Sequence, residues 1–293
     1  MRQLLSLTVL ALAASMAQAQ IRVGDIQPCQ GSLGPLREPV YDLYDDVFVR
    51  GTIYGAQTDA QHYVSVDMVV DVVGPDGKVY KHTSIAKNDP QVLGNQSPFA
   101  FHFAIDRAWK PGEYTLKANL KDNESGKETS CLQKFTILPK RLAILPPQFF
   151  FDEERKSPGP NGGFVGQIIY FNVSVVGLEN TKGVDFEMSA QVRDSAAQKV
   201  LWKIGKKEIK ETDPEKVKSG GGNIGGAIPL GTPGDYILRT YATDYIAGKT
   251  VVCDFPLHIE APGKGMLYES VIKEMDPLIS DPPSLIQVSS PPK

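Results

Sequence analysis

Several stretches of the chain alternate apolar and polar residues with a period of two. Residues 114–120 place Tyr, Leu, Ala and Leu at every second position, and residues 99–105 do the same with Phe, Phe, Phe and Ile. This spacing gives a β-strand one buried and one solvated face. The alternating residues 64–72 run into Gly74-Pro75-Asp76-Gly77, which predicts a hairpin. The pattern up to residue 139 predicts about seven short strands and no helix.

The chain contains an internal repeat. Pro111-Gly112-Glu113-Tyr114 returns as Pro233-Gly234-Asp235-Tyr236 at an offset of 122 positions (236 − 114). The same offset relates Asp122 to Asp244, Cys131 to Cys253, and Ile137 to Ile259. A constant long offset indicates a duplicated unit. We therefore predict unit one at residues 20–139 and unit two at 140–261, and the short proline-containing joint at 138–141 predicts restricted motion between them.

The Pro-Gly-acid-Tyr motif resembles the late strands of bacterial immunoglobulin-like, fibronectin-like and filamin-type domains. The resemblance covers roughly a quarter of each unit, and it implies that the tyrosine of the motif fills a corner of a sandwich. The Cys–Trp–Cys spacing of true immunoglobulin domains is absent, and Trp109 stands just before the motif instead. The resemblance implies an all-β chain of two tandem antiparallel immunoglobulin-like β-sandwiches, with no chemistry attached to the motif.

Both ends of the chain differ in composition from the two units. Residues 1–19 have a basic start, a short apolar run and the small-x-small sequence Ala17-Gln18-Ala19, which is typical of a secretory signal peptide cleaved before Gln20. The run is too short to span a bilayer, so we expect a secreted or periplasmic protein without membrane insertion. Residues 262–293 are rich in Pro and Ser and predict a disordered tail, with one short helix at 266–275.

Net charge bears on the class of partner. The formal net charge is −3, with 31 basic and 34 acidic residues. Nucleic acid requires a basic footprint, so we expect no nucleic-acid partner. A hydrophobic content of 41% is enough to form packed cores.

Three cysteines leave one unpaired in an exported protein. Cys29 and Cys131 could form a disulfide that ties the first strand of unit one to the last, and oxidising compartments favour such bridges. The alternative is three buried free thiols. In unit two the position that matches Cys29 is Phe151, so Cys253 is expected to be a small apolar core residue.

Two acidic clusters are candidate metal ligands. The first comprises Asp42, Asp45 and Asp46 and the second comprises Asp152, Glu153 and Glu154, each near the start of a unit. Ca²⁺ takes about six to eight oxygen ligands, which such loops could supply. The competing interpretation is a solvated loop whose charges protect an edge strand.

Aromatic residues are the candidates for a glycan-binding platform. The candidate rings are Tyr41, Tyr44, Trp109 and Trp202. The alternative is that the tryptophans pack in or beside the cores.

Other motifs carry little chemistry. Gly220, Gly222 and Gly225 spell G-x-G-x-x-G, but no βαβ unit surrounds them, so a glycine-rich edge strand or loop is expected after a lysine-rich loop at 203–218. The four histidines, among them His102 and His258, show no metal-ligand spacing and adjoin no nucleophile motif.

These observations predict a secreted, non-enzymatic binding or structural module without a cofactor, whose partner is a protein or a glycan. A carbohydrate-binding module is the first alternative and predicts exposed Trp or Tyr rings on one face. A hydrolase with an unrecognised site is the second, and predicts two or more acids converging with a histidine in one cleft.

Overall fold

The computed structural model describes residues 21–24, 26–90, 96–181, 183–195, 199–213 and 221–261. The predicted signal peptide, the predicted tail and its helix therefore lie outside the described residues. Within them the chain is all β, as predicted, with no helical element and hence no helix that could cross a membrane.

Nine strands form unit one: β1 (Arg22–Val23), β2 (Gln27–Cys29), β3 (Val40–Tyr41), β4 (Asp46–Tyr54), β5 (Tyr63–Val73), β6 (Val79–Pro90), β7 (Gln96–Ala104), β8 (Gly112–Asp122) and β9 (Glu128–Ile137). In one sheet β4 pairs with β7 on one side and with β1 and β2 on the other. The second sheet has the order β3-β9-β8-β5-β6. The strand pairs are antiparallel except β3 with β9, a short parallel pair that the alternation did not predict.

Ten strands form unit two: β10 (Ala143–Ile144), β11 (Gln148–Phe150), β12 (Pro158–Gly159), β13 (Gly162–Phe164), β14 (Ile168–Val176), β15 (Val184–Asp194), β16 (Val200–Glu211), β17 (Gly222–Pro229), β18 (Gly234–Asp244) and β19 (Lys249–Glu260). One sheet centres on β14, which pairs with β17 and with β10 and β11. The other has the order β13-β19-β18-β15-β16, with β13 parallel to β19. Unit two therefore repeats the strand order of unit one.

Each unit encloses its own apolar core between its two sheets. The core of unit one includes Tyr114 and Leu116, and that of unit two includes Phe171 and Leu238, all fully buried. In the described parts of the chain every strand pairing lies within one unit. Each copy thus buries the apolar face of its own strands.

The repeat offset changes along the chain although the strand order does not. Arg50 faces Ala100 in unit one and Asn172 faces Gly225 in unit two, so β4 and β14 keep the offset of 122 while β7 and β17 are 125 apart (225 − 100). The offset returns to 122 at β8 and β18 because residues 230–233 are a shorter connection than residues 105–111. The longer connection carries Trp109, whose ring lies 5.1 Å from that of Tyr114.

Large and small side chains exchange places between equivalent strand pairs. Val49 faces Phe101 in unit one, whereas Phe171 faces Gly226 in unit two. A Cβ atom on Gly226 would lie 2.4 Å from Cδ1 of Ile204, so a larger residue there would require the Ile204 side chain to move. A core packed to native density preserves total volume better than individual residues, and the copies therefore diverge in sequence while keeping the fold.

The prediction of a lysine-rich loop at 203–218 is wrong for its first half, because β16 continues to Glu211. Trp202 and Ile204 pack against the core, while the lysines lie on an outermost strand of the sheet. Charged side chains on such a strand oppose pairing with another chain, which explains why a strand carries loop-like composition. The alternative of a glycine-rich edge strand is confirmed for β17, which pairs with β14 alone among the described strands.

Candidate functional site

The four candidate platform rings lie in separate surroundings. Tyr41 is buried, with the Arg37 guanidinium 4.3 Å above its ring, and Trp109 is buried beside Phe103 and Tyr114. Trp202 is partly buried with its ring 6.0 Å from that of Phe171, and Tyr44 packs at the joint between the units. The structure does not bring these four rings together on one exposed face.

Each acid of the first cluster binds a different basic or amide group. Asp42 accepts two hydrogen bonds from Arg141, at 2.7 and 3.0 Å. Asp46 accepts one from the Gln148 amide at 2.8 Å. Asp45 accepts one from Arg37, described below. In the described residues no three His, Cys, Asp or Glu side chains are grouped as metal ligands.

The second acidic cluster organises its own loop. Asp152 accepts hydrogen bonds from the backbone N–H groups of Lys156 and Ser157, at 3.0 and 2.6 Å. Glu154 forms an exposed ion pair with Lys156. These contacts correspond to the alternative of a solvated loop.

All three cysteines are free thiols in the structure, so the predicted Cys29–Cys131 disulfide is not formed there. Cys29 is buried on β2 in one sheet, and Cys131 lies on β9 in the other, facing the core. Burial raises the pKa of each thiol, including that of Cys253. A raised pKa lowers the thiolate fraction at neutral pH, and therefore the reactivity of all three.

Cross-strand aspartate–histidine pairs occur in both units, His82 with Asp71 and His258 with Asp235, and the second pair has a serine at the end of the neighbouring strand. Nδ1 of His258 lies 2.6 Å from Oδ1 of Asp235, its cross-strand neighbour. Ser195 follows β15, and because Asp194 faces Tyr236 it lies beside Asp235 on the other side. Strands are about 4.8 Å apart, so Ser195 and His258 are separated by about 10 Å with the aspartate between them. A serine nucleophile needs its histidine within hydrogen-bond reach, and this order does not provide it.

Hydrogen bonds and an apolar contact join the two units in the described parts of the chain. Arg141 binds Asp42, Gln148 binds Asp46, and Nδ2 of Asn161 donates to Oε1 of Gln30 at 3.0 Å. Tyr44, with a φ of 68°, packs against Ala143, Leu145 and Val176. The positive φ turns this ring out of unit one and towards its neighbour.

Asp45 and Arg37 form a buried ion pair beside this joint. Asp45 is 4% exposed, accepts a hydrogen bond from Nη2 of Arg37 at 2.9 Å and accepts another from the N–H of Asp46 at 2.8 Å. Burial raises the pKa of Asp45 to about 6, and the attraction of Arg37 offsets this only in part. The pair fixes the loop that carries Asp42 and Tyr44 to the joint.

Removing the links from the side of unit two is expected to loosen the joint without unfolding the protein. In the triple variant R141A/Q148A/N161A, each replacement should cost about 1 kcal/mol or less because the links are exposed or partly solvated. Residual dipolar couplings measured by NMR should then require different alignment tensors for the two units. The exposed Lys140→Ala change is the control, and one shared tensor in the triple variant would contradict the role of the links.

Two neighbouring cavities lie side by side, the first on unit one and the second between the two units. The first, about 720 Å³, lies on the outer face of β4 beside Thr52, Tyr54 and Pro98. The second, about 550 Å³, lies between residues 33–35 of unit one and the outer face of β18 and β19, including Ile237 and Pro256. Both are lined by Leu33 and Arg50. We call this combined surface the inter-unit groove, and each of its two cavities is within the volume range of single binding pockets, about 300–1,000 Å³.

The groove residues were not among the sequence-predicted candidates. Leu33 is 54% exposed in a Gly- and Pro-containing loop, and Ile237 and Pro256 face each other on the solvent side of their sheet. The sequence did contain one sign of the groove. Ile237 is an apolar residue at a position of β18 that the alternation assigns to the polar, solvent-facing side of the strand.

Comparisons with known proteins identify no relative. No protein-family model matches the chain, and no curated protein matches it. Among solved structures, an alkylpurine DNA glycosylase from Pseudomonas fluorescens bound to DNA aligns at 15% identity over 41% of this chain and 31% of its own, with a TM-score of 0.29. Red sea bream transglutaminase aligns at 10% identity over 85% of this chain and 32% of its own, with a TM-score of 0.27. The chain spans about a third of the length of each.

Proposed function

We propose that this protein is a secreted, non-enzymatic binding module of two immunoglobulin-like sandwiches, and that the inter-unit groove is its binding surface for a polypeptide segment of another protein. The observation that carries the proposal is that the second cavity is lined by both units, for example by Leu33 and Ile237, and shares Leu33 and Arg50 with the first cavity. A ligand in the second cavity would therefore contact both units at once.

Two features support a binding role over catalysis. The His258–Asp235 pair has no nucleophile within reach, and the described residues contain no grouped metal ligands. The links at the joint hold the two walls of the groove together, which reduces the entropy that a ligand must overcome on binding.

The lining favours a polypeptide over a glycan. Stacking on a sugar requires an open aromatic face, but the Arg22 guanidinium lies 4.3 Å over the ring of Tyr54. Tyr236 is partly buried, and its hydroxyl donates to the Thr232 carbonyl at 3.0 Å. The apolar groups that remain accessible, Leu33 and Pro256 among them, suit aliphatic and aromatic side chains of a protein.

Site-specific photo-crosslinking in the organism that encodes the protein tests this function. p-Benzoylphenylalanine at Leu33 should give a covalent adduct with one partner protein. The matched control places the same residue at Leu132, which is 66% exposed on β9 in unit one. Equal adducts from both positions, or none from Leu33, would refute the groove as the binding surface.

A further inference from the structure

The described chain ends beside the inter-unit groove. Pro256 and His258 of β19 line its second cavity, and Ala261 follows His258 by three residues, or about 10 Å. Residues 262–265 are Pro-Gly-Lys-Gly, a sequence that favours chain reversal. The residues that follow this sequence would start within reach of the groove.

The residues after Gly265 are suited to binding in an apolar groove. Met266, Leu267 and Tyr268 form an apolar triplet, and Tyr268 is the only aromatic residue in the sequence from 262 to 293. The second cavity is lined by apolar groups, notably Leu33, Pro35 and Ile237, that are left without a cover by the rest of the described chain. Apolar side chains that leave water stabilise the bound state, and the triplet offers three of them.

We propose that residues Met266–Tyr268 of this chain occupy the inter-unit groove and must leave it before a partner binds. The proximity of the triplet to the exit point favours it over the later apolar residues of the tail, since the cost of loop closure grows with loop length. The tail thereby regulates the surface assigned above. The inference rests on the proposed function for its consequence, but the occupancy of the groove can be measured without any partner.

Charge gives a second, independent argument for the orientation of this segment. The guanidinium of Arg50 donates to the Gly34 carbonyl at 3.3 Å, and no carboxylate among the described residues pairs with it. Glu269 follows Tyr268 directly in the sequence. With the triplet in the second cavity, Glu269 reaches the cation that separates this cavity from the first.

The test uses the full mature chain with p-benzoylphenylalanine at Ser270. We expect intramolecular adducts that map by mass spectrometry to residues 33–35 or 256–258. Replacing Met266, Leu267 and Tyr268 together by serine should lower the adduct yield by at least about tenfold, because the segment then loses all three of the apolar side chains that favour its binding in the groove. The tail length is unchanged in this variant, so mere proximity of the tail predicts no change in yield.

The charged contact provides a reciprocal check. Arg50→Glu should lower the yield about two- to fivefold, and adding Glu269→Arg should restore it. Leu33→Ser should also lower the yield, whereas Leu132→Ser, at a still more exposed leucine outside the groove, should not. An unchanged yield in the triple-serine variant, adducts outside the groove, or adducts between two copies would overturn the proposal. If these results occur while Leu33 still crosslinks a partner protein, the regulation is refuted and the binding function stands.

Discussion

Asp122→Ala is expected to destabilise unit one by about 3–4 kcal/mol, because it leaves three hydrogen-bond donors without their acceptor. Asp122 is fully buried and accepts from the N–H of Gln57 at 3.0 Å, the N–H of Glu124 at 3.2 Å and the hydroxyl of Ser125 at 2.6 Å. It thus fastens the segment after β4 to the turn between β8 and β9. Urea unfolding followed by circular dichroism measures the change.

Asp244 is the counterpart of Asp122 in unit two, so the same substitution can be made there. Asp244 is 1% exposed and accepts from the N–H groups of Glu179, Ile246 and Ala247, at 2.7, 3.0 and 3.0 Å. Asp244→Ala should destabilise unit two by a similar amount, and the two effects should add because the sites share no partner. The exposed Asp67→Ala change on β5 is the control. A loss below about 1 kcal/mol at both buried aspartates would contradict the assigned role.

Asp122 and Asp244 show which structural features can be predicted from the sequence and which cannot. Their shared offset of 122 was visible, and so was the alternation of the flanking strands. Their function was not, because Gln57 and Glu179 lie 65 positions away in the chain and donate through backbone N–H groups that carry no side-chain signature. Local patterns predict strands well, whereas a contact between distant backbone and side chain depends on the assembled fold.

The errors have a related cause. The outermost strand of a sheet is exposed to solvent along one edge and on part of both faces. Residues 203–211 therefore carry polar side chains without a clean alternation, and their composition resembles that of a loop. The groove was missed because Leu33 and Pro256 are brought together only when the two units join. The repeat predicted two similar units, but a surface between them has no counterpart within either copy.

The stability of the wild-type protein relative to Asp45→Asn is expected to fall by about 2 kcal/mol as pH rises from 4 to 7. Burial raises the pKa of Asp45 to about 6 from an ordinary 3.8, so the folded state holds this proton more tightly than the unfolded state. Such a group contributes stability fully below its unfolded pKa and loses that contribution as pH rises through its folded pKa. Asparagine cannot ionise, so the variant lacks this change.

Urea unfolding of both proteins at pH 4, 5, 6 and 7 measures the difference. Asp254→Asn is the matched control: its ion pair with Arg239 lowers the pKa of Asp254, so that carboxylate is ionised in the folded state across this range and in the unfolded state from about pH 5 upward. The difference between wild type and this control should therefore stay constant from pH 5 to 7 and change by only about 0.3 kcal/mol between pH 4 and 5. A constant difference for Asp45→Asn as well would mean that Arg37, and not burial, sets the charge of Asp45. In that case the loop carrying Asp42 and Tyr44 would hold the joint equally well at every pH in this range, because its anchoring ion pair would stay intact.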